Sequence, residues 1–271
     1  MVALTTVAGT ADEREIDPAD GGAIGRAVQI LDALAAASGG LDVATIAAAV
    51  GMSPSGAHRS LRSLVHAGLV TQSGRRGAYR LGIKVLLLAR AMRSEEALVA
   101  ASEPELRPLS ALTGETVGVG VVRDDRMWIV TSVDGSGDLV ARPTLGGSPH
   151  FHTTGRGKLF LAHMPERRAR ALIRSTGLPR LCPNTIADEE TLWRAVEEAR
   201  ARDYATSREE RTPGVGGVAV PIRDVDRRVV ATLGVTVPMF RFDATREAEL
   251  LQHTRAAAAR IERTLHGQPD G

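Results

Sequence analysis

Apolar positions near the N-terminus recur at helical spacing. Ile24, Ala27, Val28, Leu31 and Leu34 form one stripe that ends before Ser38, Gly39 and Gly40, which predicts a first helix. Asp42 stands where an N-cap belongs, Ile46, Ala47 and Val50 share a face behind it, and Gly51 stops a short second helix. Ser53 caps a third helix, Pro54 takes its first position, and Ala57, Leu61, Leu64 and Val65 make its apolar side. The period then drops to two. Residues 69–72 and 78–81 predict short strands joined through Ser73, Gly74, Arg75, Arg76 and Gly77. Three helices with a tight turn between the second and third, followed by a hairpin, predict a winged helix-turn-helix.

Beyond it, Ile83, Leu86, Leu87, Ala91, Leu98 and Val99 alternate with charges at helical spacing, which predicts a linker helix over 83–102 that also serves in self-association. A helix is predicted over 105–112, then strands over 116–122 and 127–133 around a turn at Asp124 and Asp125. Helical patterns return at 157–163, 165–175 and 189–202, strands at 215–222 and 229–237, and a closing helix at 244–265. Helices and strands are thus mixed along the chain, and its 271 residues suggest two domains. A disordered acidic tail covers 1–22, the DNA-binding module 23–82, the linker helix 83–102, a second domain 103–266, and a short tail 267–271.

Composition narrows the class. Of 271 residues, 43% are apolar and 24% charged, ordinary globular usage, while aromatics at 3% leave the cores to Ala, Val, Leu and Ile. The net charge of +2 hides an uneven distribution. The tail holds one basic against five acidic residues, whereas residues 23–82 hold six basic against two acidic, a balance suited to phosphate. Apolar runs such as 85–89 fall far short of the ~18–20 residues a membrane span needs, so no membrane association is expected. The single cysteine, Cys182, excludes an internal disulfide framework, and the acidic N-terminus is unlike a secretory leader. Cytoplasm is the expected location.

The outer face of the third helix carries the first candidate chemistry. With Ala57, Leu61 and Leu64 turned inward, a period of about 3.6 residues turns Ser55, Arg59, Arg62, Ser63 and His66 outward. Arginine can grip a guanine edge or a phosphate through two bonds, and serine makes shorter contacts to either. Gly56 removes a side chain near the helix start and allows close approach to the DNA backbone. Arg75 and Arg76 at the tip of the wing suit phosphate or minor-groove contact. Double-stranded operator DNA is the partner this pattern predicts.

Enzymatic readings find little support. Gly155-Arg156-Gly157-Lys158 resembles a phosphate loop superficially, but a Walker A motif needs glycine where His152 stands and Ser or Thr where Leu159 stands. His150 and His152 could share a strand face with His163 as a third metal ligand, yet no carboxylate or cysteine completes the set, and surface or hydrogen-bonding histidines are expected. Cys182 has no partner at CxxC spacing, and no G-x-S-x-G elbow occurs. No catalytic residue, metal or cofactor is expected. The rival reading, a metabolic enzyme with an accessory DNA-binding domain, rests only on the loop that carries these histidines and Lys158.

The run Gly25-Arg26-Ala27-Val28-Gln29-Ile30-Leu31, with Ser55-Gly56-Ala57-His58-Arg59, Gly68-Leu69-Val70 and Tyr79-Arg80-Leu81-Gly82, resembles the IclR family of bacterial regulators. Thr113-Gly114-Glu115-Thr116, residues 157–162, Asp203-Tyr204-Ala205, Gly214-Val215 and 219–222 continue the resemblance in order. It implies a GAF-like α+β effector-binding domain after the linker helix, homodimers that pair into dimers of dimers, and a metabolite effector that alters DNA affinity or polymerase recruitment. It also brings His58 into the DNA-contacting set. Gly155, Arg156, Ser207, Val215, Gly217, Gly234 and Thr236 match the family's effector-lining positions. The Arg156 guanidinium then implies an acidic effector, and Gly217 and Gly234 imply room for more than a two- or three-carbon acid. The sequence departs from the family at Pro54 and Gly56, where a basic residue and Thr are common, and at Gly217, where many members carry cysteine. Operator sequence and ligand class are therefore not transferable from a relative.

Overall fold

The computed structural model describes residues 22–37, 39–74, 77–89, 93–137, 140–141 and 147–267. Residues 1–21 and 268–271, on which the two tail expectations rest, lie outside it, as do Arg75 and Arg76. The chain divides into two compact units, Met1–Arg93 and Ser94–Gly271.

The first unit contains α1 (Gly22–Ala35), α2 (Val43–Ala49), α3 (Pro54–His66), β1 (Val70–Gln72), β2 (Tyr79–Leu81) and α4 (Ile83–Ala89). Ile30, Leu34, Ile46, Leu61, Leu64, Val70 and Tyr79 form its core. The α1 stripe is rotated from its expected setting: Ile30 and Leu34 are buried, whereas Ile24 and Val28 are exposed. Side-chain caps start the next two helices, with Asp42 accepting from the Thr45 amide at 2.8 Å and Ser53 from the Gly56 amide at 3.2 Å. Gly51, at φ +63°, makes the turn between them, a backbone setting that glycine adopts without steric cost. The β1–β2 hairpin is antiparallel, and Leu41 exchanges two backbone hydrogen bonds with Tyr79 beside it. At the hairpin base a Cβ on Gly82 would lie 2.2 Å from the Gly68 carbonyl oxygen, so these two chain segments require glycine to meet.

The linker differs from its expected form. Residues 83–102 hold the whole of the short α4 and the start of a second helix, and the latter, α5 (Arg93–Thr113), runs on through the separate helix expected at 105–112. Pro104 and Pro108 lie inside it, each removing one backbone donor. Tertiary burial of Leu98, Ala101, Leu106 and Leu109 holds the helix together across its prolines and across the boundary expected at 103–104.

The second unit adds β3 (Thr116–Arg123), β4 (Arg126–Val133), α6 (Gly155–His163), α7 (Glu166–Thr176), α8 (Glu189–Arg202), β5 (Ala205–Arg208), β6 (Val215–Arg223), β7 (Val229–Pro238) and α9 (Ala244–Leu265). Its strands form one antiparallel sheet in the order β4-β3-β7-β6-β5. Two apolar layers flank the sheet. One joins Val119, Val220 and Leu233 to α5 and α9 through Leu106, Leu250 and Ile261. The other joins Ala205 and Ala219 to α6, α7 and α8 through Leu159, Ile173 and Leu192. The α+β class thus holds. β5 was not anticipated: its four residues, Ala-Thr-Ser-Arg, carry no period-two apolar signal, and pairing with β6 makes them a strand. No helix among the described residues is long and apolar enough to cross a membrane.

Candidate DNA-contacting helix and ligand cavity

Ser53 and Pro54 start α3, and the inward set Ala57, Leu61 and Leu64 fixes its rotation. Ser55, His58, Arg59, Arg62, Ser63 and His66 are consequently exposed together on its outer side. Among the described residues no carboxylate pairs with Arg59 or Arg62, so both guanidinium groups stand available to an external anion. Ser63 donates its hydroxyl to the Arg59 carbonyl at 3.3 Å, which leaves its lone pairs outward. A Cβ on Gly56 would come within 3.1 Å of Ser53 Oγ, so this glycine also makes room for the cap. At the wing, Gln72 Nε2 donates to the Gly77 carbonyl at 3.2 Å and stiffens the base of the turn.

In the second unit, α6 begins beside the sheet where Thr154 accepts from the Gly157 amide at 3.0 Å. Gly155 and Gly157 are there for packing. A Cβ on Gly155 would approach the Ala205 carbonyl oxygen to 2.7 Å and one on Gly157 the Phe151 carbonyl oxygen to 2.1 Å. A cavity of about 80 Å³ opens at this helix start, lined by Gly155, Arg156, Ser207, Val215, Gly217 and Thr236 of the expected set. Thr153, Thr154, Ser148, Arg211 and Thr212 join them, and Met127, Ile129 and Val235 add apolar wall. Of these additions only the Thr-Thr-Gly helix start left a signal in the sequence, as an N-cap pattern. The others arrive from β4, β7, the β5–β6 loop and the segment at Ser148 that bridges to Met127 through tertiary folding.

Arg156 dominates the electrostatics. It is 9% exposed, and its Nη2 donates to the carbonyls of Gly234 at 2.8 Å and Gly118 at 3.2 Å, while Nε has no hydrogen-bond partner. No carboxylate among the described residues pairs with it. Burial alone pushes the guanidinium down to about 10. The partial positive charge of the α6 N-terminus adds to it on the cavity side.

Two glycine expectations need correction. Gly234 is not on the cavity wall; the volume its missing side chain leaves is filled by Arg156, whose Cζ would lie 2.7 Å from a Cβ there. Gly217 does border the cavity, but its missing Cβ points at the Val235 carbonyl oxygen, 2.5 Å away, and not into ligand space. Both glycines serve close backbone and side-chain approach.

Lys158, the lysine of the loop that resembled a phosphate site, is buried and places Nζ 2.8 Å from each carboxylate oxygen of Glu210. His150 and His152 are not surface residues. Both are buried, His152 in a single 3₁₀ turn (Phe151–Thr153) and His150 as the residue before it, with ring centroids 5.9 Å apart and edge to face. His152 Nε2 lies 3.1 Å from the Pro179 carbonyl oxygen, so that nitrogen carries the proton, and burial holds the ring below its ordinary value. His163 instead faces Asp203 at 3.4 Å. No metal-competent cluster of three occurs among the described residues. Cys182 is buried, and burial pushes its thiol up, away from thiolate character.

A helix-turn-helix unit with two unpaired arginines on its third helix, followed by an α+β unit with a cation-bearing cavity, defines a DNA-binding regulator with a ligand-sensing domain. The chain belongs to the IclR family of bacterial transcriptional regulators: residues 23–74 match the IclR helix-turn-helix domain and residues 91–263 the bacterial transcriptional regulator IclR C-terminal domain. It is 36% identical over 259 residues to the HTH-type transcriptional regulator Rv1719 of Mycobacterium tuberculosis, covering 94% of this chain and 98% of that one. It is 32% identical over 224 residues to the HTH-type transcriptional regulator BhcR of Paracoccus denitrificans, covering 83% and 80%. The crystal structure of Thermotoga maritima IclR is similar with a TM-score of 0.68 at 26% identity, over 89% of this chain and 97% of that one.

Proposed function

We propose that the cavity beside Arg156 is the effector site, that it takes a small organic acid, and that occupancy changes how tightly α3 holds operator DNA. The observation that carries this reading is a buried guanidinium with an unpartnered Nε and no carboxylate partner, facing a cavity at a helix N-terminus. A protein ordinarily neutralises a buried cation internally, and here the neutralising group comes with the ligand. A cavity of about 80 Å³ has room for a small organic acid. Thr153, Thr154, Ser207 and Thr236 supply further hydrogen bonds, and the apolar wall receives the rest of the molecule.

On the DNA side, Ser55, Gly56, His58, Arg59, Arg62 and Ser63 form the reading surface, with Arg75 and Arg76 of the wing on phosphate. The protein acts as a homodimer in the cytoplasm, with dimers pairing further. The exposed Ile24 and Val28 of α1 and Ile83, Leu86, Leu87 and Leu88 of α4 support self-association. The acid binds one arrangement of the dimer better than the other and shifts the population between them. It is sensed and not turned over, a reading supported by relatives that are named transcriptional regulators.

The test is a thermal-shift screen of small carboxylates against their neutral amides, on wild type and Arg156→Met. Hits are carried into mobility shifts on the promoter upstream of the protein's own coding sequence. Carboxylate-selective stabilisation that vanishes in Arg156→Met is expected. Amides bound as well as acids would overturn the charge argument, and conversion of a bound acid to product would overturn the sensor reading.

A further inference from the structure

The β5–β6 loop, residues 209–214, supplies Arg211 and Thr212 to the cavity. Its base is fixed. Glu209, at φ +56°, donates its amide to the Val215 carbonyl at 2.9 Å and accepts the Gly214 amide on Oε1 at 2.7 Å, and the Gly214 carbonyl accepts from the Met239 amide. Its tip is held differently. Thr212, Pro213 and Gly214 are exposed, so apolar packing contributes little there, and the anchor is Glu210. Glu210 is absent from the cavity wall. Both its carboxylate oxygens reach Lys158 Nζ at 2.8 Å, Oε1 also accepts the Arg208 amide at 3.3 Å, and its carbonyl accepts the Thr185 hydroxyl at 2.6 Å. Arg211 Nη1, one residue on, donates to Ser148 Oγ at 3.0 Å across the cavity rim.

Lys158 and Arg156 are two residues apart on α6, so they project from it roughly 200° apart. One helix, buried from Gly155 to Ala162, thus carries a cation toward the cavity and another toward the loop that borders it. We propose that the Lys158–Glu210 ion pair is a latch that holds the loop tip over the cavity, which makes both residues positioning residues of the ligand site. An ion pair suits this role because it fixes one geometry, while the cost of desolvating both charges offsets much of its attraction and lets the loop lift. Shared anchorage on α6 ties the latch to the helix that meets the ligand. The role as a ligand site rests on the function proposed above, whereas the latch itself is tested without any ligand.

The experiment is butane-2,3-dione labelling of arginines in the full-length protein, read by mass spectrometry, with exposed Arg167 and Arg174 on α7 as internal rate standards. Hydrogen–deuterium exchange of residues 209–215 is measured in parallel, and protection of β6 and β7 reports that the sheet is intact. In Glu210→Gln and in the milder Glu210→Asp, Arg156 labelling and loop exchange should both rise about tenfold or more while sheet protection stays. Should Glu210→Gln fail to fold, Lys158→Met breaks the pair from its other side, leaves the Glu210 carboxylate without its cation, and should show the same opening. Wild-type labelling and loop exchange in folded variants would overturn the latch. Opening of the loop without any carboxylate binding in the screen would leave the latch standing and sink the acid reading alone.

Discussion

Replacing Arg156 with methionine should make the unliganded protein more stable and insensitive to acids. Burial pushes the guanidinium down to about 10, a charge-desolvation cost of roughly 3 kcal/mol. Its two hydrogen bonds to the Gly118 and Gly234 carbonyls return about 1 kcal/mol each. The side chain is thus a net cost on the order of 1 kcal/mol in the empty protein, and methionine fills much of the same volume without it. Urea unfolding followed by circular dichroism should show a gain of about 1 kcal/mol, or a melting temperature higher by roughly 2–4 °C. The sign with pH follows from the depressed value. Below about 10 the arginine is charged in both folded and unfolded states, so the cost is constant through neutral pH. Above about 10 the folded arginine loses its proton while the unfolded chain keeps it, so wild type gains stability as pH rises and the variant's advantage shrinks. Acid affinity should fall about 10- to 100-fold in the same variant. A loss of about 2 kcal/mol or more on Arg156→Met would refute the reasoning, because the guanidinium would then be a structural tie between β3 and β7.

Arg59→Ala and Arg62→Ala, both at exposed positions, should each cost about 1–3 kcal/mol of operator binding with unchanged melting, and mobility shifts at wild-type affinity would remove α3 from the interface. Arg75→Ala with Arg76→Ala should weaken binding to all sequences and flatten its salt dependence, measured as the slope of log affinity against log salt. Gly217→Ala should destabilise the second unit by about 1–3 kcal/mol in urea unfolding, since its Cβ would press on the Val235 carbonyl, and a neutral result would show that the two strands yield there. Burial holds His152 and His163 below 6.5, so their contribution is complete above that pH and is lost as pH falls through the folded values. His152→Gln should therefore lose less stability than wild type on acidification from pH ~7 to ~5; equal losses would place the acid sensitivity elsewhere.

The first unit is legible in the sequence because its determinants are local. Asp42, Ser53 and Pro54 start helices within one turn of themselves, Gly51 stops one, and the rotation of α3 follows from Ala57, Leu61 and Leu64 alone. The outward set of arginines is the remainder of that pattern. Where the sequence misleads, a nonlocal term wins. The two helices expected on either side of residues 103–104 are one because Leu98, Ala101, Leu106 and Leu109 pack into the same core layer on the sheet, and the α1 stripe is reset by which positions meet Leu61 and Leu64. β5 is a strand only because β6 lies beside it.

The cavity divides in the same way. Family-like spacing placed Gly155, Arg156, Ser207, Val215, Gly217 and Thr236 together, yet what each residue does there was decided by contacts between segments far apart in the chain. Gly234 is a seat for Arg156 78 residues away, Gly217 makes room for a backbone carbonyl, and Lys158 faces Glu210 instead of a phosphate. Caps, turns and helix faces act over one turn of chain and so are written in the sequence. Whether a buried cation is neutralised from within or left open to a ligand depends on every segment packed around it, and only the tertiary structure brings those together.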